Sequence, residues 1–233
     1  MSKHMKFAGL ALLVTLGPGL SMAGTIEPCA TESLSVYLTS TSVCEIGSFL
    51  FGDFYYNPTS LGGGPIVGAN EVMVTPIFGT DPGLEFSASW SGTANSGIDS
   101  EIGFHVGTAS GLPWLDSGTI SMTATATGTA NALLSAYICQ GGTFSGLCAT
   151  NPLEILELQL GSGENPGPQT PIGSFGPVSS ISVLTDVRAY GAGDGTSSIL
   201  NVTNLFPTPE PVTPLLGLSG LLLLFGLRKH LRA

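Results

Sequence analysis

Asp99, Glu101 and His105 alternate along the chain with Ile98, Ile102, Phe104 and Val106. Successive side chains of a strand point to opposite faces, so three ionisable groups share one face and the apolar residues the other. Carboxylates two residues apart on a strand sit about 7 Å apart. That lies within the range of roughly 6.5–9.5 Å for the carboxyl pair of an inverting glycosidase. His105 is the one histidine between the terminal segments, so any Ser–His–Asp triad or zinc site would have to use it. A strand with one wet face produces the same geometry without function, and a solvated face is the expectation. No Gly-x-Ser-x-Gly, His-Glu-x-x-His, P-loop or dinucleotide fingerprint is present. The chain is expected to be no enzyme and to use no cofactor.

Other residues offer binding chemistry. Trp114, Tyr55 and Tyr56 could stack on the apolar faces of sugars, and Trp114, one residue after Pro113 and shortly before Asp116, reads as the loop residue among them. Trp90 continues an apolar strand face and is assigned to the core. Thr119, Ser121, Thr123, Thr125, Thr127 and Thr129 form a hydroxyl row at every second residue. A threonine array that orders water needs several such rows side by side; one row reads as a solvent face built from a β-favouring residue. Asp53, Asp186 and Asp194 could contribute oxygens to calcium, which takes six to eight. No loop spacing supplies them, and no metal is expected.

These residues need strands to position them. Leu84, Phe86, Ala88 and Trp90 alternate with Glu85, Ser87 and Ser89, and Ile120, Met122, Ala124 and Ala126 with hydroxyl residues. Each is a half-buried strand pattern. Further strands are predicted at Ser33–Leu38, Ile46–Tyr55, Glu71–Phe78, Ala132–Cys139, Leu153–Leu160, Ser179–Val187 and Ser198–Val202. Asn57-Pro58, Gly62-Gly63-Gly64-Pro65, Asp81-Pro82-Gly83, Gly141-Gly142 and Gly193-Asp194-Gly195 are turn signals between them. Gly161–Pro177, with four prolines, is predicted to be a long connector, and Asn201–Pro209 a linker. About ten short strands and no helical stripe predict an all-β fold: one antiparallel β-sandwich, with the jelly roll among its variants. Cys29, Cys44, Cys139 and Cys148 allow three pairings. The local ones, Cys29–Cys44 and Cys139–Cys148, are favoured because each closes a short loop.

Both ends are set apart from this domain. Lys3 and Lys6 precede the apolar stretch Phe7–Leu16, then Gly17-Pro18 and the small residues Ser21-Met22-Ala23. This is the anatomy of a secretory signal peptide, residues 1–23, cut between Ala23 and Gly24. Val212–Leu227 is a run of 16 uncharged residues ending in Arg228, Lys229 and Arg232. As a helix it would be about 24 Å long, short of the roughly 20 residues of a standard span. The basic end would stay cytoplasmic.

Pro209-Glu210-Pro211, the apolar run and the basic end resemble the PEP-CTERM sorting signal of bacterial exported proteins. That resemblance implies an exosortase-type membrane enzyme that recognises the tail, here residues 204–233, and the secretion translocon as partners. It also implies a transient membrane anchor at 212–227, then residence on the cell surface or outside the cell. The segments Cys44–Phe54 and Gly193–Asn201 are similar to the opening and closing segments of many such proteins. They imply a shared β-rich extracellular domain, here residues 24–203, and no activity. The aromatics Phe49, Phe51 and Phe54 are assigned to the core.

With Lys3, Lys6, Arg228, Lys229 and Arg232 in the two ends, Arg188 is the one cation left between Gly24 and Pro209. It faces 15 carboxylates, a formal charge of −14. Such a surface repels nucleic acid and anionic headgroups. Three functions remain in order of preference: a non-enzymatic surface or matrix protein, a module that binds exopolysaccharide, and a glycan hydrolase.

Overall fold

The computed structural model describes residues 26–39, 43–108, 115–140, 154–161 and 172–207. The signal-peptide segment, the Ala23–Gly24 bond, Trp114, Cys148 and everything from residue 208 onward, including Pro209, Glu210, Pro211 and the basic end, lie outside them. No helix among the described residues is long and apolar enough to cross a membrane.

In chain order the elements are β1 (Glu27–Pro28), β2 (Glu32–Ser33), α1 (Leu34–Thr39), β3 (Cys44–Ile46), β4 (Phe49–Leu61), β5 (Met73–Ile77) and β6 (Gly83–Thr93). They continue with β7 (Gly97–Thr108), β8 (Leu115–Ala126), β9 (Asn131–Cys139), β10 (Glu154–Leu160), β11 (Ile172–Val178), β12 (Ser180–Tyr190) and β13 (Thr196–Leu205). A seven-stranded sheet runs β1-β3-β4-β7-β12-β9-β10 and a six-stranded sheet β11-β8-β13-β6-β5-β2. All pairs are antiparallel apart from β1 with β3. This is the expected β-sandwich.

The core lies between the sheets, where the alternating apolar positions meet. Phe104 on the seven-stranded sheet packs its ring 5.8 Å from Phe86 on the other sheet, 6.2 Å from Phe51 and 6.3 Å from Phe206. Trp90, Phe49 and Phe51 are fully buried, as expected, and Phe54 is half-buried against the same cluster. Thr185 donates its hydroxyl to the Asn204 side-chain oxygen at 3.1 Å, a buried bond between β12 and β13. Such a bond removes two desolvation penalties at once.

Five local expectations are corrected. Ser33–Leu38 is mostly helix, not strand. Leu34 and Tyr37, three residues apart, are its buried pair, and Leu34 N donates to Val72 O at 2.7 Å, so tertiary contacts override a β-favouring composition. Ile46–Tyr55 is not one strand, because Gly47 takes φ 63° and turns β3 into β4. Asn57-Pro58 is no turn but lies inside β4, beyond the reach of β3, where a missing N–H removes no ladder bond on the open side. The connector Gly161–Pro177 contains most of β11, which pairs with β8 and buries Phe175. The linker Asn201–Pro209 begins as the end of β13, and Phe206 beyond it is 1% exposed. Leu200 sits at a bulge, 55% exposed. Before it Ile199 faces inward, after it Val202, Asn204 and Phe206 do, so the alternation changes phase there.

Cys29 and Cys44 form the favoured local disulfide, with Cα atoms 4.8 Å apart. Cys139 is also disulfide-bonded.

Candidate functional site

The outer face of the seven-stranded sheet carries the chemistry. Register places Asn57, Glu101, Asp186, Ser135 and Glu157 on one rung across β4, β7, β12, β9 and β10. The next rung on one side is Tyr55, Gly103, Leu184, Tyr137 and Ile155, and on the other Thr59, Asp99, Arg188, Leu133 and Gln159. With strands about 4.8 Å apart, Tyr55 and Tyr137 stand about 14 Å apart. Between them Gly103 has no side chain, and Leu184 is 4% exposed despite facing outward. Tyr55 and Tyr137 pack against Leu184 and Cys139. The two half-buried tyrosines close over Leu184 and leave their rings next to a row of hydrogen-bonding groups.

Glu101 organises the β4 side of the polar row. Its Oε2 accepts from Asn57 Nδ2 at 3.1 Å and from Tyr55 Oη at 3.4 Å. The Tyr55 hydroxyl is pushed up by burial and then by the Glu101 charge and hydrogen bond. Tyr137 is also raised, by burial first and then by Asp186, Glu157 and Glu101.

Asp186 is the most perturbed group. Burial, a hydrogen-bonding contact with Asp99 and the charges of Asp99 and Glu101 raise it to about 7, with Arg188 opposing. Its Oδ1 has no hydrogen-bond partner. Like charges on neighbouring strands cannot all ionise cheaply. Because the folded state holds this proton above the usual aspartate range, it binds more protons than the unfolded chain between about pH 4 and pH 7. The contribution of Asp186 to stability is therefore largest below that window and falls as pH rises through it. Asp186→Asn is expected to add about 2 kcal/mol at pH 8 after discounting for solvent screening. It should also flatten the stability profile between pH 4 and pH 8. Denaturant midpoints at the two pH values check this; an unchanged slope with pH contradicts it.

Asp99, Glu101 and His105 do share one face, as the alternation predicts. Asp99 and Glu101 lie side by side on that face rather than across a cleft. Tyr55 and Tyr56 part company. Tyr55 faces out, whereas Tyr56 turns toward the core and donates its hydroxyl to Val67 O at 2.8 Å, with Ser100 Oγ at 3.3 Å. Tyr56 is corrected from a sugar platform to a structural residue, because consecutive strand residues point oppositely. His105 Nδ1 stands 3.2 Å from Asp53 Oδ2, where β4 bulges with Asp53 at φ 51°. Ser182 is its cross-strand neighbour but is fully buried, so these three present no accessible nucleophile.

Sequence reasoning missed Tyr137 and the role of Asp186. The available signal was Asp186 followed two residues later by Arg188, the one cation of this region. Asp53, Asp186 and Asp194 are not brought together, and no group of three His, Cys, Asp or Glu among the described residues could hold a metal. On the opposite sheet, Ser121, Thr123 and Thr125 gain Thr203, Asn201 and Ser198 as neighbours on β13. Thr127 bonds Thr196 and Thr129 bonds Ala192 O instead, as turn residues.

No family model and no curated protein matches the chain. Among solved structures, the chain is similar to a carbohydrate-binding module, CBM61, in complex with β-1,4-galactotriose, with TM-score 0.29 and 10% identity over 64% of this chain and 86% of that one. It is also similar to the enzymatically active domain of the bacteriophage CBA120 tailspike protein 4, with TM-score 0.30 and 10% identity over 63% of this chain and 19% of that one. At these scores neither likeness carries a functional argument.

Proposed function

We propose that this chain is an exported, non-catalytic surface protein whose seven-stranded sheet binds a neutral glycan on its outer face. One observation carries the reading: the half-buried rings of Tyr55 and Tyr137, packed over Leu184, lie one rung from Asn57, Glu101 and Asp186. Aromatic rings accept the apolar face of a sugar. Carboxylates accept hydrogen bonds from its hydroxyls, and Asn57 and Arg188 donate. Asp99, Glu101 and Glu157 outnumber Arg188, so an acidic polysaccharide is repelled and a neutral one is not. Delivery to the cell surface rests on the tail, where Pro209-Glu210-Pro211, the apolar run and the basic end suit an exosortase-type enzyme, after export through the translocon directed by residues 1–23.

Affinity electrophoresis in gels cast with neutral polysaccharides, including the exopolysaccharide of the producing cells, tests the reading. The chain should be retarded by at least one of them, and Tyr137→Ala should weaken binding about tenfold, the equivalent of about 1.4 kcal/mol. Equal mobility of the two proteins in every gel refutes it.

Glycoside hydrolysis is a second reading with one observation in its favour. Asp186, held protonated to about pH 7, has the character of a general acid, and Glu101 stands directly across from it. Release of reducing ends that Asp186→Asn abolishes would establish it in place of simple binding.

A further inference from the structure

The six-stranded sheet ends in a rung with three large apolar side chains, Ile77, Leu205 and Ile172, where the chain leaves the domain. Register aligns Ile77, Gly83, Leu205, Thr119 and Ile172 across β5, β6, β13, β8 and β11. These positions face away from the core, since their neighbours Pro76, Leu84, Phe206, Ile120 and Gly173 take the inward side. Ile172 is 70% exposed, and Phe78, next to Ile77, is 64% exposed. The following rung is different in kind: Thr75, Glu85, Thr203 and Ser121. A narrow apolar strip therefore borders a hydroxyl and acidic surface, and Phe206 and Pro207 carry the chain out beside it.

The sequence after Pro207 says what can cover the strip. Four residues, Thr208 to Pro211, separate it from Val212–Leu227. Fully extended they reach about 14 Å. A run apolar on every side would leave most of its surface bare if it lay on a strip one side chain wide, so its partner is lipid rather than this sheet. Wherever that run enters a bilayer, Pro207, where the chain leaves the strip, is held within about 14 Å of the entry point. A side chain at the headgroup boundary is buried by about 5–10 Å, a depth that suits one rung and not the polar rung behind it. The formal charge of −14 between Gly24 and Pro209 excludes attraction to anionic headgroups.

We infer that the rung Ile77–Leu205–Ile172, with Phe78, is a membrane-contact edge that seats the sandwich on a zwitterionic lipid surface while the tail is intact. The inference rests on the membrane-seeking reading of the tail. It fixes the orientation of the domain: the long axes of the strands stand on the bilayer, and the outer face of the seven-stranded sheet remains in water.

The test uses the full chain in phosphatidylcholine vesicles. Phe78→Trp and, as a control farther along the same sheet face, Ser89→Trp are compared by quenching with brominated phosphatidylcholine. The emission of the parent chain is subtracted, and flotation of the vesicles is followed in parallel. The expected result is co-flotation of both variants, loss of most of the added emission of Phe78→Trp, and no loss for Ser89→Trp. Co-flotation with Phe78→Trp unquenched overturns the contact edge and leaves the anchor standing. Equal quenching of both variants overturns the orientation. Failure to float overturns the anchor and the contact edge together.

Discussion

Phe206→Ala is expected to lose about 3–5 kcal/mol of unfolding free energy. The residue lies one position past β13, in a stretch whose composition reads as a linker. Its ring is 1% exposed and sits 6.1 Å from Phe51 and 6.3 Å from Phe104. Its N–H donates to Pro82 O at 2.9 Å, which closes the end of the sandwich. Truncation leaves a cavity between both sheets at that end, and a close-packed interior relaxes only partly to fill it. A denaturant midpoint with unchanged m-value would report the loss. A loss below about 1 kcal/mol, the range of ordinary surface substitutions, would mean that the chain past β13 acts as a linker from Phe206 on.

Cleaving the Cys29–Cys44 disulfide is expected to cost about 3 kcal/mol, the loop-entropy value for a span of this length, since the two are separated by 15 residues. The local effect should exceed the global one. β1 contributes a two-residue parallel pair with β3 and one further bond, Cys29 N to Glu45 O at 3.1 Å. Two residues of pairing do not hold a strand in place by themselves. In the double variant Cys29→Ser, Cys44→Ser, exchange of the backbone amides at positions 27 and 29 should approach that of free chain while β7 and β12 stay protected. Full protection at those two amides would mean that the parallel pair stands without the bridge. The prediction bears on location as well, because a domain dependent on this bond suits an oxidising compartment.

The strands were legible wherever the alternation is unbroken. β6, β7, β8 and β9 can be read from Phe86, Phe104, Ile120 and Leu134 and their polar neighbours, since each has one dry face and one wet face. Legibility failed where backbone geometry shifts phase without a strong residue signal. The bulge at Leu200 hides the last turn of the core, and Gly47 hides a hairpin within a run of apolar residues. The helix at Leu34–Thr39 follows from its docking on Val72 and Ala69, which no local pattern announces. For the site, periodicity put Asp99, Glu101 and His105 on one face. It could not show which strands lie beside β7, and so could not bring Asp186 from β12 or Tyr137 from β9 to them. Those contacts depend on sheet order, where β4 and β12 flank β7 although far from it in sequence.

Amide-resolved mapping of a bound neutral oligosaccharide on the full chain tests the central claim most directly. The account predicts perturbation concentrated at Tyr55, Asn57, Glu101, Tyr137 and Asp186, with β6, β8 and β13 unaffected. Perturbation confined to the six-stranded sheet, or none at saturating sugar, would contradict it.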